Sequence, residues 1–186
     1  MTLSANEVNQ LKQAQTIEGV LAAIVGRWSA RSFAARAVSR ADLKTIFEAA
    51  RWSASSSNEQ PWRFLCGERG SPACQKIASA LNSPNRLWAS GAPVLILGAA
   101  AGALTLQASA LGLRTHSMAG FDHDAARQIF QIPEDFLLGA VIALGYQGEP
   151  AALPTEKLIA QEISPRSRRP LSETVFAEWG VPAELG

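Results

Sequence analysis

Val94-Leu95-Ile96-Leu97-Gly98 and Gly139-Ala140-Val141-Ile142-Ala143-Leu144 decide the fold. Both runs are short and carry no polar side chain. A strand with one wet face would alternate apolar and polar residues, so an unbroken run predicts a strand covered on both faces. The second strand is expected to extend from Leu137 to Tyr146. An Ala-rich helix follows the first, with Leu104, Ala108 and Leu111 on one side and Gly112 as a left-handed cap.

Working outward, the same interleaving continues. Ser39 with Asp42 opens a helix whose face is Leu43, Ile46, Phe47 and Ala50. Ser71-Pro72 opens another, with serine as the cap and proline at the first helical position. Asp122 caps a third, carrying Ala126, Ile129 and Phe130. Trp62–Gly67 and Thr115–Met118 are short strands. The spacing of Val8, Leu11, Ile17, Val20, Leu21, Ile24 and Val25 predicts an N-terminal helix over 4–25. From Glu149 four prolines precede Leu171, and 149–186 reads as an arm with too little core of its own. The expected fold is α/β (α+β), a mixed central sheet flanked by helices in one domain spanning 1–186.

The 186 residues are 47% hydrophobic and 18% charged with a net charge of +1, which suits a globular chain. No overall basic field draws nucleic acid, so an anion site must come from a local cluster. Cys66 and Cys74 match no zinc or redox spacing and are expected as reduced thiols near a core. His116 and His123 form no ligand motif, so no metal is expected; both read as loop or surface residues, with His116 the one that could lie near a ligand. Residues 89–113 carry no charge, but Ser90, Gly91, Pro93, Gly98, Gly102, Gln107 and Ser109 interrupt them, so a buried strand and helix fit better than a membrane span. The polar N-terminus has no apolar leader core, and a cytoplasmic protein is expected.

Three stretches in predicted loops are rich in ligand-type side chains. In Arg27-Trp28-Ser29-Ala30-Arg31, alternate residues of an extended chain would turn Arg27, Ser29 and Arg31 toward one ligand. Arginine's planar fork matches phosphate oxygens. Ala54-Ser55-Ser56-Ser57-Asn58-Glu59-Gln60 offers hydroxyl, amide and backbone groups to a flat polar heterocycle. Pro165-Arg166-Ser167-Arg168-Arg169-Pro170 holds three arginines in four residues. Each could also be ordinary solvated surface. Together they suggest a phosphorylated organic ligand without saying which.

These residues, in this order, resemble the nitroreductase family. Arg27-Trp28-Ser29-Ala30-Arg31 is similar to its Arg-x-Ser-x-Lys/Arg motif. Ser55-Ser56-Ser57-Asn58-Glu59-Gln60-Pro61-Trp62-Arg63-Phe64 resembles its Pro-Ser-Ser-x-Asn-x-Gln-Pro-Trp-x-Phe signature, with Ala54 where the proline stands. Ala110-Leu111-Gly112-Leu113, Met118-Ala119-Gly120-Phe121 and Arg166-Ser167-Arg168 are similar to its later motifs. The resemblance implies a domain-embraced homodimer binding FMN. Arg27 and Ser29, with Arg166 and Arg168, would gather at the phosphate and ribityl chain, and Trp28, where the family usually has a second arginine, would stack or pack beside them. Arg31 would lie at the flavin's N1–O2 edge, where a cation stabilises the reduced ring. Ala54, Ser55, Ser56 and Asn58 would reach across from the partner subunit, and Met118, Ala119 and Gly120 would run along the ring. It implies ping-pong transfer of hydride from NADH or NADPH, through the flavin, to a nitroaromatic, quinone or similar small-molecule acceptor. No catalytic side chain is then needed, because the cofactor carries the chemistry. A flavin-dependent dehydrogenase or oxidase of a bound substrate, and a flavin-binding protein without turnover, are the alternatives. The short span from Phe64 to Gly112 predicts an open, unselective pocket.

Overall fold

The computed structural model describes residues 3–184. Its sheet contains β1 (Phe64–Glu68), β2 (Val94–Gly98), β3 (Arg114–Met118) and β4 (Ala140–Gly145), in the order β1-β2-β4-β3. Every strand pair is antiparallel, with Val94 opposite Leu144 and Ile96 opposite Ile142. The mixed sheet expected from the sequence is therefore reduced to one parallel bridge, Ser29 with Thr115, beside the edge strand β3. Run length and apolar content tell a covered strand from an exposed one, but not its direction.

The unbroken apolar runs have the predicted cause. Leu95, Leu97, Val141 and Ala143 point to one face and pack with Ile77 of α4 (Pro72–Ala80), Trp88 of α5 (Ser83–Ala89) and Ala126 of α7 (His123–Phe130). Val94, Ile96, Ile142 and Leu144 point to the other, under Leu43 and Ile46 of α3 (Arg40–Arg51) and Leu104 and Ala108 of α6 (Ala101–Ala110). With a side-chain period of two and a helical layer on each face, no position of β2 or β4 is left for a polar residue. The predicted caps act as such: Ser39 accepts from the Asp42 amide, Ser71 from Cys74 and Asp122 from Ala125.

The N-terminal helix over 4–25 breaks in two, α1 (Ala5–Leu11) and α2 (Ala22–Gly26). Gly19 lies between them at φ +88°, a conformation no helix interior uses. Apolar spacing carried the expectation, and Gly19 overrides it. The second strand begins at Ala140 rather than Leu137, and Leu137 is 90% exposed.

The arm 149–186 divides in the same way. Its first part contains α8 (Glu156–Ile163), capped by Thr155, with Leu153, Leu158 and Ile159 packed into the core. That half has a core after all, because it shares the chain's own. Beyond Pro165 the chain is largely exposed and carries a small hairpin, β5 (Phe176–Glu178) with β6 (Val181–Pro182). Among the described residues, no helix is long and apolar enough to cross a membrane.

Candidate anion and flavin site

Arg27 to Arg31 is an extended segment laid along β3. Trp28 (3% exposed) and Ala30 (0%) turn inward, Ser29 is exposed, and Arg27 and Arg31 are half-buried. The alternation read from the sequence is thus realised, with Arg27, Ser29 and Arg31 on the outer side. Trp28 does not share that side. Its indole packs against Val8 and Ala30, donates to Asn9 Oδ1 at 3.2 Å and lies under the Lys12 ammonium at 4.8 Å. Of the two roles open to it, stacking or packing, the indole packs: a large ring at the inward position of this segment goes to the core.

The two ends of the chain meet at this segment. Arg166 Nη1 donates to the carbonyls of Lys12 (2.8 Å) and Val25 (3.0 Å), which ties the arm to the ends of α1 and α2. Burial, and then the neighbouring charge of Arg168, lower Arg27 below the ordinary arginine range. Burial, then Arg168 and Arg27, do the same to Arg166. The charges of Arg168 and Arg27 therefore reach Arg166, and that of Arg168 reaches Arg27. No carboxylate relieves them: among the described residues the only ion pair is Arg51 with Glu48, on the surface of α3. Repelling cations held together without an acid form a cradle suited to a dianion.

The remaining predicted residues divide. Residues 54–60 form an exposed loop held by its own bonds, Ser55 Oγ accepting from the Gln60 amide at 3.1 Å. Ser57, Asn58 and Gln60 all have φ near +50°, costly for residues other than glycine. Within one chain no hydrogen bond joins this loop to the arginine cradle, among the described residues. Met118 is 3% exposed and sits in the core beside Leu95, so its side chain does not border a surface site. Ala119 is exposed. Gly120 does permit a close approach, but to the chain's own side chains: a Cβ there would fall 2.5 Å from Asn82 Nδ2.

His116 is corrected as well. It lies on β3, its ring tilted against Trp88 with centroids 4.6 Å apart, and Nδ1 at 3.0 Å from the Ala30 carbonyl. Burial, then the charge of Arg31, push its pKa down to about 4. The unfolded chain, titrating near 6.5, takes up this proton first, so the stability is full above that pH and is lost as pH falls toward 4. The melting temperature should drop across this window, and His116→Gln should flatten the drop; parallel profiles for both proteins would count against it.

Two features escaped the sequence. A mainly apolar cleft of about 590 Å³ is lined by Trp62, Phe64, Phe130, Phe136 and Leu138, at the β1 edge of the sheet. The other is buried Glu162, on a helix that the proline-rich reading dissolved. Thr155 three residues before Leu158, with Ile159 beside it, was the available signal.

An α+β domain with helices on both faces of its sheet and a cation cluster beside it is the class these features define. The nitroreductase family model matches residues 24–86, which hold the Arg27–Arg31 segment and the polar loop. A crystal structure described as an oxidoreductase containing FMN is 30% identical, covers 95% of this chain and 97% of its own, and superposes with a TM-score of 0.79. This chain belongs to the nitroreductase family. An uncharacterised protein of Mycolicibacterium smegmatis is 37% identical over 46% of this chain, a match spanning 57% of that relative. An Archaeoglobus fulgidus protein named for NADH dehydrogenase or NAD(P)H nitroreductase activity is 26% identical over 70% of this chain and 86% of its own.

Proposed function

We propose that this protein is an FMN-dependent NAD(P)H oxidoreductase acting as a homodimer. One observation carries the reading: Arg27, Arg166 and Arg168 lie within range of one another's charge with no acidic partner among the described residues, a setting that suits the terminal phosphate of FMN. The named activities and bound FMN of its relatives support the same ligand. Arg27 and Arg168, with the hydroxyl of exposed Ser29, hold the phosphate. Arg166 has one nitrogen committed to backbone carbonyls and contributes charge and its remaining donors. Arg31 supplies the cation at the N1–O2 edge, and the backbone of Ala119 and Gly120 borders the ring. FMN when bound supplies two-electron chemistry, taking reducing equivalents from NADH or NADPH and releasing them to a nitroaromatic, quinone or similar acceptor in alternate visits.

The partner subunit's copy of the loop 54–60 completes the site, bringing Ala54, Ser55, Ser56 and Asn58. Two facts support this: the loop does not reach the cradle in its own chain, and the arm exposes Leu171 (59%), Trp179 (95%) and Val181 (53%). Isolated chains seldom leave such apolar residues uncovered together. Sedimentation should give twice the chain mass. The free thiols of Cys66 and Cys74 suit a reducing, cytoplasmic setting.

The test begins with purification. Yellow protein should bleach with NADH or NADPH under nitrogen and recover on adding a nitroaromatic or quinone. Colour that neither nicotinamide bleaches would end the reductase reading. A colourless protein that takes up no added FMN would end the flavin reading itself.

A further inference from the structure

Glu162 lies one residue before the end of α8 and is completely buried. A buried carboxylate is costly unless its lone pairs are filled. Here backbone fills them. The Arg31 amide reaches both oxygens at 3.0 Å, and the Ser32 amide donates to Oε1 at 3.0 Å. Gln147 Nε2 adds a third donor at 3.2 Å. The same nitrogen also donates to the Gly148 carbonyl at 3.0 Å, and the buried Gln147 Oε1 has no partner. Lys12 is near enough to feel the Glu162 charge, but its ammonium is spent on the carbonyls of Gln161 and Ser164 at the end of α8.

These contacts join two parts of the cradle that are far apart in sequence. The amides of Arg31 and Ser32 terminate the Arg27–Arg31 segment. Arg166 and Arg168 follow Glu162 in the chain by four and six residues. With α8 held against the segment by Glu162, the distance between the two arginine sets is fixed before any ligand arrives. We propose that Glu162 is a positioning residue for the phosphate cradle, setting the spacing of Arg27 against Arg166 and Arg168 through the backbone of Arg31 and Ser32. Preorganised cations bind a dianion more tightly than mobile ones, because ordering is not charged against binding. This inference rests on the FMN reading.

The test compares FMN with riboflavin, which lacks the phosphate. Affinities are measured by quenching of flavin fluorescence, and folding by circular dichroism. Glu162→Gln removes the carboxylate's charge and puts an NH2 at the Oε2 position, where the Arg31 amide donates, so the hold on that amide is weakened. It should cut the preference for FMN over riboflavin about tenfold, the scale of one charge-assisted hydrogen bond. A merely structural loss would weaken both flavins alike and leave the ratio unmoved. Glu162→Asp keeps the charge but shortens the reach by one methylene; it should fold and lower the ratio by a smaller factor, and it decides the matter if the glutamine variant does not fold. A wild-type ratio in a folded variant overturns the role of Glu162 and leaves the FMN reading standing. Failure of the wild-type protein to bind FMN overturns both.

Discussion

Arg168→Ala is expected to weaken FMN binding at least tenfold while leaving the ligand-free protein as stable as before or slightly more so. The two effects have opposite signs for one physical reason. Without ligand, the charge of Arg168 disfavours the charged forms of Arg27 and Arg166. No acid offsets this, so removing one charge relieves repulsion. With FMN bound, the same charge meets the phosphate, and a hydrogen bond to a charged group contributes about 1.5–3 kcal/mol. That corresponds to roughly ten- to a hundredfold in affinity. The rise in melting temperature on adding FMN should shrink accordingly, since ligand stabilisation follows affinity. Fluorescence titration and thermal melts with and without FMN check both halves. Unchanged affinity would remove Arg168 from the phosphate site, and a marked fall in ligand-free stability would show that its neighbours are not repulsive.

Gly67→Ala should be among the most damaging single substitutions outside the site. Gly67 is the buried residue of β1, and α4 crosses directly above it. A Cβ there would stand 2.2 Å from the Cys74 amide nitrogen, 2.5 Å from its Cα and 2.7 Å from the Ala73 carbonyl carbon. All three are backbone atoms of a helix, so no rotamer change relieves the clash; α4 must move away from the sheet. That displacement would pull Ile77 and Ala80, both buried, from their contacts with Leu95 and Leu97. Overpacking of a rigid core costs about 1–3 kcal/mol and sometimes more, and this case belongs at the upper end. For a chain of this size, 3 kcal/mol lowers the melting temperature by roughly 6–12 °C. A shift within a degree or two would mean that α4 is not held as closely as drawn. Gly102→Ala is the control: its position in α6 has open space, so it should be neutral or stabilising.

Local chemistry alone carried much of this description. The caps at Ser39, Ser71 and Asp122 and the two apolar strands follow from side chains acting on their own neighbourhood. So does the outward alternation of Arg27, Ser29 and Arg31, because an extended backbone turns successive residues to opposite sides whatever lies around it. The arginine-rich motifs were visible for the same reason. What was misread depended on partners distant along the chain. Whether Trp28 stacked or packed was open until Asn9, Val8 and Lys12 closed around it. At Gly120 the missing Cβ leaves room for the side chains of Asn82 and Asn85, two partners no local pattern names.

By itself, then, the sequence determined the helices and strands it could cap and pattern locally, and the residue types able to grip a phosphate. Only the tertiary structure decided that Arg27 and Arg168 stand together, that the sheet is antiparallel, and that a carboxylate 131 residues away from Arg31 holds its backbone in place. Patterns of period two or 3.6 are set within a few bonds of each residue, whereas convergence of distant groups is set by how whole layers pack, and no short stretch of sequence records it.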